Sequence, residues 1–149
     1  MIKPAIRRAT RDDFPAVVRM IHDLATHSGA PERPKISIDV LEADGPLGHD
    51  RFRILVAELD GAVVGLCLYT FAFSGWFGKT GLFIEDLYVD PSARGIGAGQ
   101  ALLTAAADLE SAGFFKLEVA QANEQAVAFY RKAGFTIWDG ELLMARDLA

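Results

Sequence analysis

The residues best suited to chemistry in this chain lie in a glycine-rich turn between a strand and a helix. Residues 88–99 read YVDPSARGIGAG, an apolar strand that leads into the turn and then into a helix. Gly95, Gly97 and Gly99 leave backbone N–H groups unshielded by side chains, and the helix directs its positive end to the same place. The turn is therefore suited to hold an anion such as a diphosphate.

Four polar side chains near this turn could supply acid–base chemistry. Glu85 and Asp86 interrupt the strand just before the turn, and Asn123 and Tyr130 lie seven residues apart in a predicted helix. That spacing places Asn123 and Tyr130 on one helix face, two turns apart. Together with the turn, these residues indicate an enzyme that holds a pyrophosphate-bearing cofactor and moves a group from it to an acceptor.

Structural alternatives exist for each of these residues. The glycines could serve tight turns, and Tyr130 could pack a sheet-facing helix, while Asn123 is expected to be a helix N-cap in either case. Because neighbouring strand residues face opposite sides of a sheet, Glu85 and Asp86 are not expected to act as a convergent pair. The flanking apolar residues predict a strand covered on both faces, so at least one carboxylate should be costly to desolvate.

Two familiar glycine-rich motifs are excluded. No Lys-Ser/Thr pair follows the glycines, as a nucleoside-triphosphate loop requires. The turn also does not open an N-terminal βαβ unit with an acidic residue about 20 positions further on, as a dinucleotide fold does. The cofactor is therefore of another class.

The elements that must position these residues follow an α/β order with a mixed sheet. The length of 149 residues predicts one domain, residues 1–149. Asp60-Gly61 is a strong hairpin signal, and Thr10 followed by Asp13 predicts a capping-box-like helix start. Residues from about 28 to 50 read as a mobile connection. The pattern predicts strands at 5–8, 53–59, 62–73, 82–89, 115–120, 135–138 and 142–146, and helices from 14 to about 28, around 38–43, at 96–112 and at 124–133.

Composition and charge exclude several kinds of partner. The net charge of −5 argues against nucleic acid and fits a cationic small substrate better. No apolar run approaches the roughly 20 residues of a membrane span, and no secretory signal is recognised, so no membrane partner is expected. The single cysteine, Cys67, suits a reducing cytoplasm. The three histidines lack metal-ligand spacing, so no metal is expected.

In combination, the motifs resemble those of the GNAT N-acetyltransferase superfamily. Arg94-x-x-Gly97-x-Gly99 is similar to the acetyl-CoA pyrophosphate motif, and residues 123–135 resemble the second cofactor motif. Residues 76–79 (WFGK) followed by 84–89 (IEDLYV) are similar to the diamine (spermidine/spermine-type) N-acetyltransferase branch. The resemblance implies a single-domain acyl-CoA N-acyltransferase fold, whose mixed sheet is flanked by helices and splayed between strands 82–89 and 115–120.

The resemblance also implies roles for individual residues. A primary amine is mostly protonated at neutral pH, so a base is expected, and Glu85 is the candidate. Tyr130 would protonate the leaving thiolate, a backbone N–H near Leu87 would assist the oxyanion, and Glu85, Asp86 and Trp76 would contact the substrate. Acetyl-CoA would be held by Leu87, Tyr88, Val89, Arg94, Gly95, Ile96, Gly97, Ala98, Gly99, Gln100, Asn123 and Tyr130.

The acceptor stays open at the level of sequence. In the diamine branch, acidic residues after the first helix hold the distant ammonium, whereas residues 27–30 read HSGA here. The acceptor is expected to be a primary amine of a small molecule, such as a diamine, a polyamine, a lysine-like amine or an aminoglycoside. Two alternatives are a protein or peptide N-acetyltransferase and a non-catalytic acyl-CoA-binding regulatory module. The resemblance also implies a homodimer.

Overall fold

The computed structural model describes residues 3–148. The chain folds into two compact units, Met1–Glu118 and Val119–Ala149. No helix within residues 3–148 combines the length and the apolar character needed to cross a membrane. The strands are β1 (Ala5–Arg8), β2 (Arg53–Leu59), β3 (Ala62–Ser74), β4 (Lys79–Val89) and β5 (Phe115–Leu117), and the α-helices are α1 (Phe14–His27), α2 (Ile38–Asp44), α3 (Ala98–Glu110) and α4 (Glu124–Lys132).

The first unit is built on one mixed sheet in the order β1-β2-β3-β4-β5. β1 to β4 pair antiparallel with their neighbours, and β5 pairs parallel with β4. The β2–β3 hairpin turns at Asp60 and Gly61, whose φ angles of 52° and 79° are those that an Asp-Gly turn favours. The predicted mixed α/β sheet is therefore confirmed.

Helices cover both faces of this sheet. Leu66 and Leu68 belong to the core that α1 and α2 pack against, whereas the alternate residues Cys67 and Tyr69 are also fully buried and must face the other side. Tyr69 bonds Glu110, the last residue of α3, so α3 covers this second face. The α1–α2 core consists of Phe14, Val17, Met20, Ile21, Leu41, Ile54, Val56, Leu66, Leu68 and Tyr88.

The start of α1 follows the predicted capping box. The Asp13 carboxylate accepts hydrogen bonds from the Thr10 N–H at 2.7 Å and from the Thr10 hydroxyl at 3.2 Å. The same carboxylate pairs with Arg7 at 2.7 Å, which compensates its burial. The cap therefore anchors α1 to β1.

The end of α3 differs from the sequence prediction. The helix was expected to reach residue 112 and end at Gly113, but it ends at Glu110, because Ser111 takes a left-handed conformation with φ 52°. Gly113 instead allows a close approach, since a Cβ there would lie 2.7 Å from Lys79 Cδ and 3.1 Å from Thr80 O. The glycine thus serves packing against β4 rather than helix termination.

The predicted final hairpin is wrong. Among residues 3–148 no strand follows Leu117, so 135–138 and 142–146 form no ladder, and β5 is shorter than the predicted 115–120. α4 ends at Lys132, and Gly134 has a φ of 98°, as its helix-stopping role requires. A strand needs a paired neighbour, and an apolar pattern alone does not supply one.

Candidate active site

The glycine-rich turn is an open backbone cradle. Gly95 and Gly97 both have a φ of 84°, and Gly97 is the N-cap of α3 with no side-chain capping bond. Cβ atoms built at Gly95 and Gly97 would meet nothing within 4 Å. Since the first N–H groups of a helix lack partners within it, those of Ala98, Gly99 and Gln100 are available at this end. The positive end of the helix and this space fit an anion.

Two arginines fix the approach to the cradle. Arg94 Nε donates to the Val89 carbonyl at 2.9 Å, and its guanidinium carbon lies 5.6 Å from the centre of the Tyr88 ring. Arg19 of α1 pairs with Asp90 at 3.3 Å, just before the turn. The turn is therefore braced against both the end of β4 and α1.

A β-bulge in β4 places the carboxylates. Leu68 pairs with Asp86 and Tyr69 pairs with Ile84, so Glu85 is an extra residue without a register partner. A bulge interrupts the regular alternation of strand residues. The expectation that Glu85 and Asp86 face opposite sides rested on that alternation, which the extra residue interrupts at Glu85. Asp86 is opposite Leu68, on the face that α1 and α2 cover.

Both carboxyl groups have raised pKa values. Burial raises the pKa of Asp86 to about 6, and the negative charge of Glu85 contributes. Burial also raises the pKa of Glu85, with a contribution from Glu118. Sequence reasoning had not selected Glu118, although its place one residue beyond β5 was a usable signal. Asp86 is therefore the desolvated carboxylate that the sequence predicted on this strand.

The sheet opens beside this bulge. β4 and β5 pair only at Leu82↔Phe115, Phe83↔Lys116 and Ile84↔Leu117. β4 continues to Val89, and within residues 3–148 no strand pairs with that side of it beyond Ile84. The predicted splay between these two strands is confirmed, and it leaves the β5 side of β4 beyond Ile84 without a strand partner, although the Val89 carbonyl already accepts from Arg94.

Asn123 and Tyr130 lie in the second unit, on α4. The Asn123 side chain caps the helix by accepting from the Ala126 N–H at 3.2 Å, which confirms the predicted cap. The Tyr130 ring packs edge-to-face with Phe129 and Phe135, both at 5.3 Å between ring centroids. The predicted site residues are therefore divided between the two units.

Trp76 is far from the carboxylates along the hairpin. It lies at the tip of the β3–β4 hairpin, beyond the Ser74↔Lys79 pair, and is 100% exposed. With a rise of about 3.3 Å per residue, the tip lies about 20 Å from Glu85. The structure does not bring Trp76 together with the other predicted substrate residues, Glu85 and Asp86.

Cys67 has the character of a core residue. It is fully buried, and burial raises the pKa of its thiol to about 12. A thiol in that state is a poor nucleophile at neutral pH. Among residues 3–148 there is no group of three or more His, Cys, Asp or Glu side chains placed to hold a metal ion.

Replacing Asp86 by asparagine is expected to stabilise the fold at pH 7.5 by about 2 kcal/mol, because burial disfavours the ionised form and raises its folded-state pKa. The gain should disappear as the pH falls through about 6 towards 4, where the wild-type carboxyl is protonated. Urea unfolding at pH 7.5 and at pH 4 measures the gain in the free energy of unfolding. Asp108→Asn, at an exposed position on α3, is the control. An equal gain at both pH values would contradict the assignment.

Comparison with known proteins identifies the family. Residues 8–135 match the Acetyltransferase (GNAT) family. A thialysine N-epsilon-acetyltransferase from Sus scrofa is 33% identical over 145 residues, 90% of this chain and 85% of that protein. Spermidine/spermine N(1)-acetyltransferase-like protein 1 from Homo sapiens is 30% identical over 105 residues, 66% of this chain and 15% of that protein. A possible acetyltransferase from Clostridium difficile 630 has the same fold, with a TM-score of 0.77 at 23% identity over 99% of both chains. The chain belongs to the GNAT acetyltransferase family.

Proposed function

We propose that this protein is an acetyl-CoA-dependent N-acetyltransferase that transfers acetyl directly to a primary amine of a small molecule. The observation that carries the proposal is the layout of β4, where the bulge with Glu85 and Asp86 leads along an unpaired edge into the open cradle. The amine-acetylating relatives favour a lysine-like amine, a diamine or a polyamine as the acceptor.

Backbone groups of β4 and of the start of α3 are suited to hold the co-substrate over its whole length. Enzymes of this family use acetyl-CoA, which supplies the acetyl thioester. The unpaired edge at Leu87, Tyr88 and Val89 would bind the extended arm, and the N–H groups from Arg94 to Gln100 would bind the diphosphate. Asn123 and Tyr130 would complete this binding from α4.

Acid and base roles follow from the free energies of proton transfer. An amine with pKa about 10.4 is the free base in roughly 1 in 2,500 molecules at pH 7. Deprotonating the ammonium therefore costs about 4.6 kcal/mol at this pH. Glu85 takes the proton from the ammonium, directly or through water, and Asp86 attracts the cation. The Leu87 N–H stabilises the developing oxyanion. Tyr130 donates a proton to the leaving sulfur, as expected for a group with pKa about 10.

An amine panel with CoA release as the readout tests the proposal. The panel contains lysine, thialysine, a short diamine, spermidine, an aminoglycoside and peptides with a free N-terminus or lysine. We expect the highest kcat/KM with a lysine-like amine or a diamine. Preference for the peptides would favour the protein N-acetyltransferase alternative. CoA binding without release with any amine would favour the non-catalytic module and overturn the proposal.

A homodimer is part of the proposal, and exposed apolar side chains support it. Leu142, Met144 and Leu148 lie within seven residues along the chain and are 88%, 86% and 85% exposed, and closely spaced exposed apolar side chains are typical of interaction surfaces. Leu142→Asp is therefore expected to shift the protein from dimer to monomer in analytical ultracentrifugation. Leu47→Asp, at a 59% exposed position elsewhere, is the control. A monomeric wild type, or a dimer unaffected by Leu142→Asp, would contradict this.

We also propose that residues 1–149 act as one N-acetyltransferase domain in the cytoplasm. The family match over residues 8–135 extends into both units, and the only cysteine of the sequence, Cys67, is buried and reduced. A single cooperative unfolding transition is expected in calorimetry. Two separate transitions would show that the units are separate domains.

A further inference from the structure

The last residue of α3 makes a buried polar contact with the sheet. Arg53 Nη1 donates to both carboxylate oxygens of Glu110, at 2.9 and 3.1 Å, and the Tyr69 hydroxyl donates to the same group at 2.8 Å. The Glu110 side chain is only 6% exposed. Arg53 and Tyr69 are register partners on β2 and β3, so two adjacent strands hold the carboxylate.

Helix stability does not explain an acid at this position. A carboxylate at a helix C-terminus is disfavoured by the macrodipole, and the last turn of α3 has no basic residue to compensate it. Burial adds a desolvation cost unless the charge is paired. Arg53 and Tyr69 remove that cost, so the helix end is stable only at the place where these two donors meet it.

Apolar packing holds the rest of the helix against the sheet. Its buried side chains are Ala98, Leu102, Leu103 and Ala106, and apolar contacts of this kind are non-directional. Arg53 is itself held, because it pairs with Asp50 at 3.1 Å and its guanidinium carbon lies 5.2 Å from the centre of the Phe71 ring. The carboxylate of Glu110 therefore provides a fixed point.

We propose that Glu110 is a positioning residue for coenzyme A binding. Held by Arg53 and Tyr69, it sets the axial position of α3 and thereby the position of the N–H groups at the Gly97 end. A helix of 13 residues transmits this position over about 18 Å as a rigid rod. The inference rests on the proposed function, since it requires that this end of α3 binds the diphosphate.

The test compares ligands with and without the diphosphate. In Glu110→Gln and Tyr69→Phe we expect the calorimetric Kd for CoA, and the KM for acetyl-CoA, to rise about tenfold, because displacing a binding group by about 1 Å has effects of this size or larger. The kcat/KM for the acetyl thioester of N-acetylcysteamine, which lacks the diphosphate, should stay within about twofold, as in the control Glu58→Gln. Glu58 pairs with Arg7 at 3.4 Å on the same strand as Arg53.

Each outcome decides between explanations. Equal losses with both thioesters, or a loss in Glu58→Gln as large as in Glu110→Gln, would mean a general effect on the fold and would overturn the proposal. Unchanged CoA affinity in both Glu110→Gln and Tyr69→Phe would also overturn it. A wild type that binds no CoA would overturn the proposed function instead, and the two failures are thereby distinguished.

Discussion

Replacing Tyr130 by phenylalanine is expected to lower kcat by about 100-fold, the loss typical of removing a general acid. A thiolate with a parent pKa about 8.5 leaves more readily when a proton reaches the sulfur. The hydroxyl of Tyr130 can supply that proton, whereas a phenylalanine side chain cannot. The edge-to-face contacts of the ring with Phe129 and Phe135 remain available to phenylalanine. The fold and the affinity for CoA should therefore stay close to those of the wild type.

Steady-state kinetics together with CoA calorimetry separates this effect from a binding defect. Tyr69→Phe is the matched control, because it also removes a tyrosine hydroxyl, in this case the one that donates to Glu110. We expect Tyr130→Phe to lower kcat by a much larger factor than it raises the Kd for CoA, and Tyr69→Phe to raise the Kd with an unchanged kcat. An unchanged turnover in Tyr130→Phe would remove Tyr130 as the acid.

Replacing Glu85 by glutamine is expected to lower kcat/KM for the amine by about 100-fold near pH 7. Burial and Glu118 raise the pKa of Glu85, so the wild-type carboxylate is the base above that pKa and becomes protonated below it. The variant depends on the free amine already present, which increases about tenfold with each pH unit below the amine pKa. The ratio of wild type to variant should therefore fall as the pH rises towards 10.

Glu118→Gln provides the control for Glu85. It removes a negative charge that raises the pKa of Glu85, while leaving that carboxylate in place. The acidic limb of the pH–rate profile should move to lower pH, with the rate at the plateau unchanged. A ratio for Glu85→Gln that is flat across pH, or an acidic limb that does not move in Glu118→Gln, would argue against Glu85 as the base.

Local features of this protein were determined by the sequence itself. The Asp60-Gly61 turn, the capping box at Thr10 and the Asn123 cap all formed as predicted, because each depends on residues within four positions along the chain. The cradle at Gly97 is of the same kind, since a left-handed turn followed by a helix creates it. The family motifs are composed of such local features, which is why they could be recognised.

Tertiary structure decided where those features act. The bulge at Glu85 arises from the register between β3 and β4, and the split beside it arises where β4 and β5 stop pairing. The Arg53–Glu110 contact joins residues 57 positions apart, and no periodicity could have indicated it. The strand pattern of residues 135–146 formed no strand, because a ladder requires a partner that local sequence does not specify. Contacts between distant residues, and the burial that they impose, set the pKa values and positions on which the chemistry depends.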